Sequence, residues 1–233
     1  MKTLTLIPLI AGVISMPQAV EADEVVRFAK FGIDRNEITI ARFEAFIQAH
    51  GVRSVAEREG GGHEWGVGWE RRPGWNYLAP FGEVVENKAL PAVHVSWREA
   101  NEYCIWVGGR LPTRNEWSEA AYKEQRENAP PDMIRGEIYP YPTGSDGRGA
   151  NTSNPDPWPQ LSPIATTKAG VNGLFDMGGN AWEWLADRHG DSALTAGGSW
   201  WYDREKMTAL SMQWKPAEFY AVYVGFRCAY DHP

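Results

Sequence analysis

Gly173-Leu174-Phe175-Asp176-Met177-Gly178-Gly179-Asn180-Ala181-Trp182-Glu183-Trp184 is the stretch on which the reading of this chain turns. Glycines sit there among large apolar rings, so tight backbone turns and heavy side chains share one short segment. The same pairing runs through the whole sequence, which holds 12 Trp, 24 Gly and 16 Pro in 233 residues. Gly and Pro interrupt helices and strands, whereas Trp brings large buried area. Together they predict a compact unit with much irregular backbone held by aromatic packing. Lectin-like and carbohydrate-binding folds share this profile, so composition alone does not choose between them.

Residues 1–22 begin with Lys2, run apolar from Leu4 to Val13 and end in Val20-Glu21-Ala22. A basic start, a short apolar run and small residues at the end read as a signal peptide. The apolar run is too short to span a bilayer comfortably, although an uncleaved anchor is the alternative. No later stretch is apolar for long enough to be a membrane helix. The expectation is a signal peptide over 1–22 and one domain over 23–233, periplasmic or secreted. The formal net charge is −7, and Lys and Arg are scattered without a basic stripe. Nucleic acid is therefore not an expected partner.

Thr39 precedes a helix that carries Phe43, Phe46 and Ile47 at helical spacing and ends at Gly51. Ser96-Trp97-Arg98-Glu99 and Thr113-Arg114-Asn115-Glu116 are capping boxes that open two more helices. Residues 25–38 read as one or two strands, 52–90 as a long ordered loop, 91–97 as a short strand and 123–170 as loop. A final short strand is expected near Gly225. The two cysteines, Cys104 and Cys228, read first as a disulfide in an exported chain. Two free thiols, one of them catalytic, are the rival reading.

Six blocks now stand in one order. They are Pro91-Ala92-Val93-His94-Val95-Ser96-Trp97, Tyr103-Cys104-Ile105-Trp106, Gly109-Arg110-Leu111-Pro112-Thr113 with Glu116-Trp117, the opening stretch, Gly197-Gly198-Ser199-Trp200 and Gly225-Phe226-Arg227-Cys228. Together they resemble the core signature of the formylglycine-generating, sulfatase-modifying family. The resemblance covers about residues 30–230. It implies an α+β fold related to C-type lectins, with little regular secondary structure. It also implies that Cys104 pairs with Cys228.

Members that make formylglycine oxidise a target cysteine through two cysteines that bind copper. Thiolates are soft ligands that select Cu(I). The matching positions here are Tyr202 and Met207. A phenol is no such ligand, and one thioether cannot make a two-sulfur site. The resemblance therefore implies a relative without the known route to formylglycine. Branches lacking those cysteines act in periplasmic siderophore maturation, apparently as oxidoreductases, or as accessory factors beside respiratory enzymes.

The family's calcium loop matches Asp176, Gly179, Ala181 and Glu183, with carboxylates at its ends and carbonyls between. A second calcium site would use Asn151, Thr152, Asp156 and Trp158. The plainer reading is that Asp176 and Glu183 hydrogen-bond a Gly-rich turn. No two of the five histidines have the spacing of a histidine metal site. His94 reads as structural, and His63-Glu64 is the one His-carboxylate pair in a Gly-rich loop. Any redox metal is left unassigned. The expected working surface follows Gly198 and comprises Trp201, Tyr202, Asp203, Glu205 and Met207. Its aromatic and acidic character suits a peptide, sugar or catechol-like ligand. Two functions remain open: a periplasmic factor that modifies or matures a protein, peptide or small natural product, as an oxidoreductase or otherwise, and a non-enzymatic, calcium-stabilised accessory or binding protein.

Overall fold

The computed structural model describes residues 25–232, and the expected signal peptide lies outside them. The chain opens with a hairpin of β1 (Val25–Arg27) and β2 (Phe31–Asp34). Thr39 then caps α1 (Ile40–His50) by accepting from the Arg42 amide, and Gly51 ends it in the left-handed conformation at φ 61°. Phe43, Phe46 and Ile47 form the buried stripe of this helix, as their spacing predicts.

Residues 52–90 are more regular than the sequence suggests. They hold the short α2 (Val55–Arg58) and a hairpin of β3 (Gly61–Trp65) and β4 (Trp69–Pro73). A third capping box, Ser54 with Glu57, starts α2. The hairpin escapes a pattern search because its strands are glycine at one end and charged in the middle. Gly61 is required there, since a Cβ would lie 2.1 Å from the Arg72 carbonyl oxygen.

The strand expected over 91–97 does not form; Pro91 makes only an isolated bridge with Thr39. His94 sits at φ 58°, which breaks the extended backbone. Its ring is fully buried against Gly62, with Nε2 3.0 Å from the Pro80 carbonyl oxygen. Both later capping boxes hold: Ser96 opens α3 (Trp97–Trp106) and Thr113 opens α4 (Arg114–Tyr122). Residues 123–170 contain no helix or strand.

Beyond that loop lies the largest sheet, which the Gly-rich sequence hides. It contains β5 (Trp182–His189), β6 (Ser192–Ala196), β7 (Gln213–Pro216) and β8 (Val224–Gly225), in the order β7-β6-β5-β8. The β5–β8 pair is parallel and the others are antiparallel. β9 (Ala229–Asp231) leaves this sheet to pair with β2, so both ends of the described chain meet.

The main core joins α1, α3 and the large sheet through Phe43, Tyr103, Trp182, Trp184 and Phe226. Cys104 on α3 is bonded to Cys228 inside this core, and both are fully buried. The free-thiol alternative is thereby excluded. A second core packs Trp117 of α4 on Leu185 and Leu194.

The disulfide closes a separation of 124 residues. In the chain-entropy view a loop of that length stabilises by about 4–5 kcal/mol. Cys104→Ala with Cys228→Ala should lower the denaturant midpoint and steepen the transition, because an unfolded chain freed of the crosslink exposes more surface. An unchanged midpoint would show that the bond does not restrain the unfolded chain.

Candidate functional site

Two regions concentrate polar groups away from water. The first is the Gly-rich stretch before β5. Arg227 lies at its centre, fully buried, and both of its outer nitrogens and Nε are used. Nη1 donates to the carbonyls of Asp34 and Arg35 at 3.0 Å each, and Nη2 donates to the carbonyl of Phe175 at 2.7 Å. Glu183 answers the charge: its Oε1 accepts from Nη2 and Nε at 2.7 and 2.9 Å, and Oε2 from Nε at 2.8 Å. Trp117 Nε1 also donates to Oε2, at 2.7 Å.

Glu37 and Asp176 lie nearby, so three buried carboxylates face one guanidinium. Burial first, and then Asp176 and Glu183, push the Glu37 carboxyl well above its ordinary value. Its oxygens accept from Asn180 Nδ2 at 2.6 Å and the Ala181 amide at 3.0 Å. Burial likewise pushes Asp176 up to about 6. Asp176 Oδ1 accepts from the Thr167 hydroxyl at 2.7 Å, while its buried Oδ2 has no hydrogen-bond partner. Gly179 is obligatory, because a Cβ would lie 2.2 Å from the Asn151 carbonyl oxygen.

These residues fit calcium in part. Excess buried carboxylate and the open Asp176 Oδ2 suit a hard cation. Glu183 does not suit it, since both of its oxygens already accept from Arg227 and one also from Trp117. Among the described residues, no three carboxylate, His or Cys side chains are grouped to hold a metal by themselves. Backbone carbonyls such as those of Gly179 and Ala181 would have to complete any site on Asp176.

At the second expected calcium position, Asp156 closes its own turn by accepting from the amides of Thr152 and Trp158, at 2.8 Å each. Asn151 is buried and ties this turn to the first region, donating to Asn180 Oδ1 at 3.1 Å. Its own Oδ1 is buried without a partner.

The second region is a cavity of about 420 Å³ between the β3–β4 hairpin, the segment after Ser199, β7 and the 218–223 turn. His63, Trp69, Tyr202, Lys215, Phe219 and Tyr223 form most of its wall. Trp69 meets Phe219 edge-on at 4.6 Å and tilts against Tyr223 at 5.8 Å. Tyr202 meets Trp182 and Tyr223 edge-on at 5.8 and 6.1 Å. Burial pushes both phenols up, so they stay protonated. Burial, with Arg71 nearby, pushes His63 down to the neutral form. The Tyr220 carbonyl, 3.3 Å from His63 Nδ1, can only accept. Nδ1 therefore carries the proton and Nε2 keeps a lone pair. His63 lies in β3, not in a loop.

The expected working surface is only partly brought together. Tyr202 lines the cavity. Trp201 is half exposed and lies edge-on against Trp200, at a neighbouring cleft with Thr152, Asp156 and Trp158. Asp203 instead caps a 3-10 turn over Arg204–Met207, accepting from the Glu205 amide at 3.1 Å. That turn swings Met207 into the core, where it is 1% exposed and packs beside Gly178 and Gly147. Its carbonyl accepts from the Tyr122 hydroxyl at 2.8 Å. Met207 is thus a packing residue, and Asp203 and Glu205 belong to a cap, outside the cavity wall.

Lys215, Phe219 and Tyr223 escape the sequence reading. A lone Lys in a short strand normally reads as a solvated charge. The Gln213-Trp214-Lys215-Pro216 stretch carries no periodic signal that would place it otherwise.

The family model for the sulfatase-modifying factor enzyme 1-like domain matches residues 3–232. A formylglycine-generating enzyme of Thermomonospora curvata is 27% identical, covering 88% of this chain and 84% of that protein. The inactive C-alpha-formylglycine-generating enzyme 2 of Mus musculus is 33% identical, over 54% of this chain and 43% of that protein. The solved structure of PvdO from Pseudomonas aeruginosa superposes with a TM-score of 0.64 at 20% identity, covering 89% of this chain and 83% of that one. The chain belongs to the sulfatase-modifying factor family, and its α+β fold is the one that family shares with C-type lectins.

Removing one member of a buried ion pair strands the other, at about 3–5 kcal/mol. Glu183→Gln should therefore lower unfolding stability by about that amount. Glu183→Gln combined with Arg227→Met should lower it by less than the sum of the single changes, because they act on one interaction. Additive losses in a double-mutant cycle would contradict the pairing.

Proposed function

We propose that the protein is a periplasmic maturation or modification factor that works at the aromatic cavity without the family's copper–thiolate chemistry. One observation carries this reading: the chain's two cysteines are both spent in the disulfide, and by the family resemblance Tyr202 and Met207 match the copper-binding cysteines. A phenol held neutral by burial and a thioether sunk in the core do not replace two soft thiolates.

The cavity keeps groups able to act on a bound ligand. His63 offers a neutral imidazole with a free lone pair, the form a general base requires. Tyr202 is a protonated phenol in the same cavity wall. Aromatic side chains exclude water and leave few polar groups to orient what binds.

A second reading, a calcium-stabilised accessory protein without catalysis, is favoured by the buried carboxylate excess around Asp176. Calcium held by Asp176 and neighbouring carbonyls would offset that charge and fix the Gly-rich loop against β5.

Pure protein supplied with copper, oxygen and a cysteine-containing sulfatase peptide should yield no formylglycine by mass spectrometry. Conversion would overturn the proposal. Calcium should raise the melting temperature of chelator-treated protein, and Asp176→Asn should abolish that rise. A rise that persists in Asp176→Asn would place the cation elsewhere.

A further inference from the structure

One charged side chain in the cavity wall has no counter-ion. β7 sets Lys215 opposite Ala193, with its ammonium 4.4 Å above the centre of the Trp182 ring. Its one hydrogen bond runs to Gln213 Oε1, at 2.9 Å. Among the described residues, no carboxylate lies within ion-pair distance of it. One carboxylate, Glu218, lines the cavity at its exposed rim and pairs with Arg98 at 3.3 Å, and Glu64 in β3 pairs with Arg72.

A cation surrounded by rings and lacking an anion is poorly solvated. Burial lowers the Lys215 amine to about 8, so at neutral pH it is still mostly charged. An occupant that brings negative charge to the Lys215 ammonium would relieve this. Lys215 already takes the cation's place over Trp182, so a second cation is repelled. The exposed face of Trp69 and the ring of Phe219 can pack against a ligand ring, with Tyr223 buried behind them. The volume, about 420 Å³, falls at the lower end for small-molecule sites, which run from about 300 to 1,000 Å³.

We infer that the cavity binds a small aromatic acid, its carboxylate against the Lys215 ammonium and its ring against Trp69 and Phe219. This names a ligand class for the cavity and rests on its being the working site. Lys215 acts here as a binding residue.

Calorimetric titration of the mature protein with 4-hydroxyphenylacetate, its neutral amide and tyramine tests the inference. The carboxylate should bind about 10-fold or more tighter than the amide, the effect of one charge-assisted hydrogen bond. Tyramine should bind more weakly still. Lys215→Met should erase the preference for the acid, and Lys215→Arg should keep it.

The preference should also fade as pH rises through about 8. Of the other titratable groups at the cavity, burial pushes the phenols of Tyr202, Tyr220 and Tyr223 up and His63 down, away from that window; Glu218 is paired with Arg98 and Glu64 with Arg72. Equal binding of acid and amide, unaltered acid binding by Lys215→Met, or no saturable binding of the acid would each overturn the inference. Such a failure leaves the copper-free reading standing, because peptide conversion tests that separately.

Discussion

The buried pairing of Arg227 with Glu183 is the interaction on which the rest of the structure depends. Both side chains are fully excluded from solvent, so neither charge is tolerable without the other. The planar guanidinium fork reaches four parts of the chain at once. It fastens the end of β2 through the Asp34 and Arg35 carbonyls, the Gly-rich loop through Phe175, β5 through Glu183, and its own segment beside the disulfide. Trp117 adds α4 by donating to the same carboxylate. A chain with so much irregular backbone has few ladders to hold it, and a multi-armed polar hub supplies long-range constraint that local elements do not.

From that hub the path to the cavity is short. β5 begins at Trp182, one residue before Glu183, so the carboxylate anchored to Arg227 also fixes the ring beneath Lys215. β6 joins β5 to β7 and carries Lys215 into place through its pairing with Ala193. On the other side, the β3–β4 hairpin brings His63 and Trp69, and His63 accepts the Val222 amide on its backbone carbonyl at 3.0 Å. Elements far apart in sequence thus converge on one aromatic chamber, each held by a strand pairing or a backbone hydrogen bond.

What the sequence discloses follows from how local each signal is. Thr39, Gly51, Ser96 and Thr113 act within one helical turn, so caps and stops are readable directly. The six ordered blocks carry the fold. The disulfide was legible from compartment and resemblance together. The β3–β4 hairpin and β5–β7 were not, because their strands gain stability from partners across the molecule, and β3 is glycine-rich, β4 charged and β6 built of small residues. The site divides in the same way. Tyr202 keeps its place in the cavity wall, but the 3-10 turn capped by Asp203 rotates Met207 into the core. Lys215 becomes a functional candidate only once the large sheet sets it over Trp182. The role of Glu183 also changes: a carboxylate that reads as a calcium ligand by position is engaged by Arg227 and Trp117, leaving Asp176 as the carboxylate with an open oxygen.

The account stands on a family scaffold in which both cysteines are held in the disulfide and the proposed working site is an aromatic cavity. Elemental analysis of the mature protein, purified without chelators, tests this most directly. The predicted result is copper far below stoichiometry, since both cysteines are held in the disulfide and no thiolate pair is left to bind it. Stoichiometric copper retained through purification would contradict it.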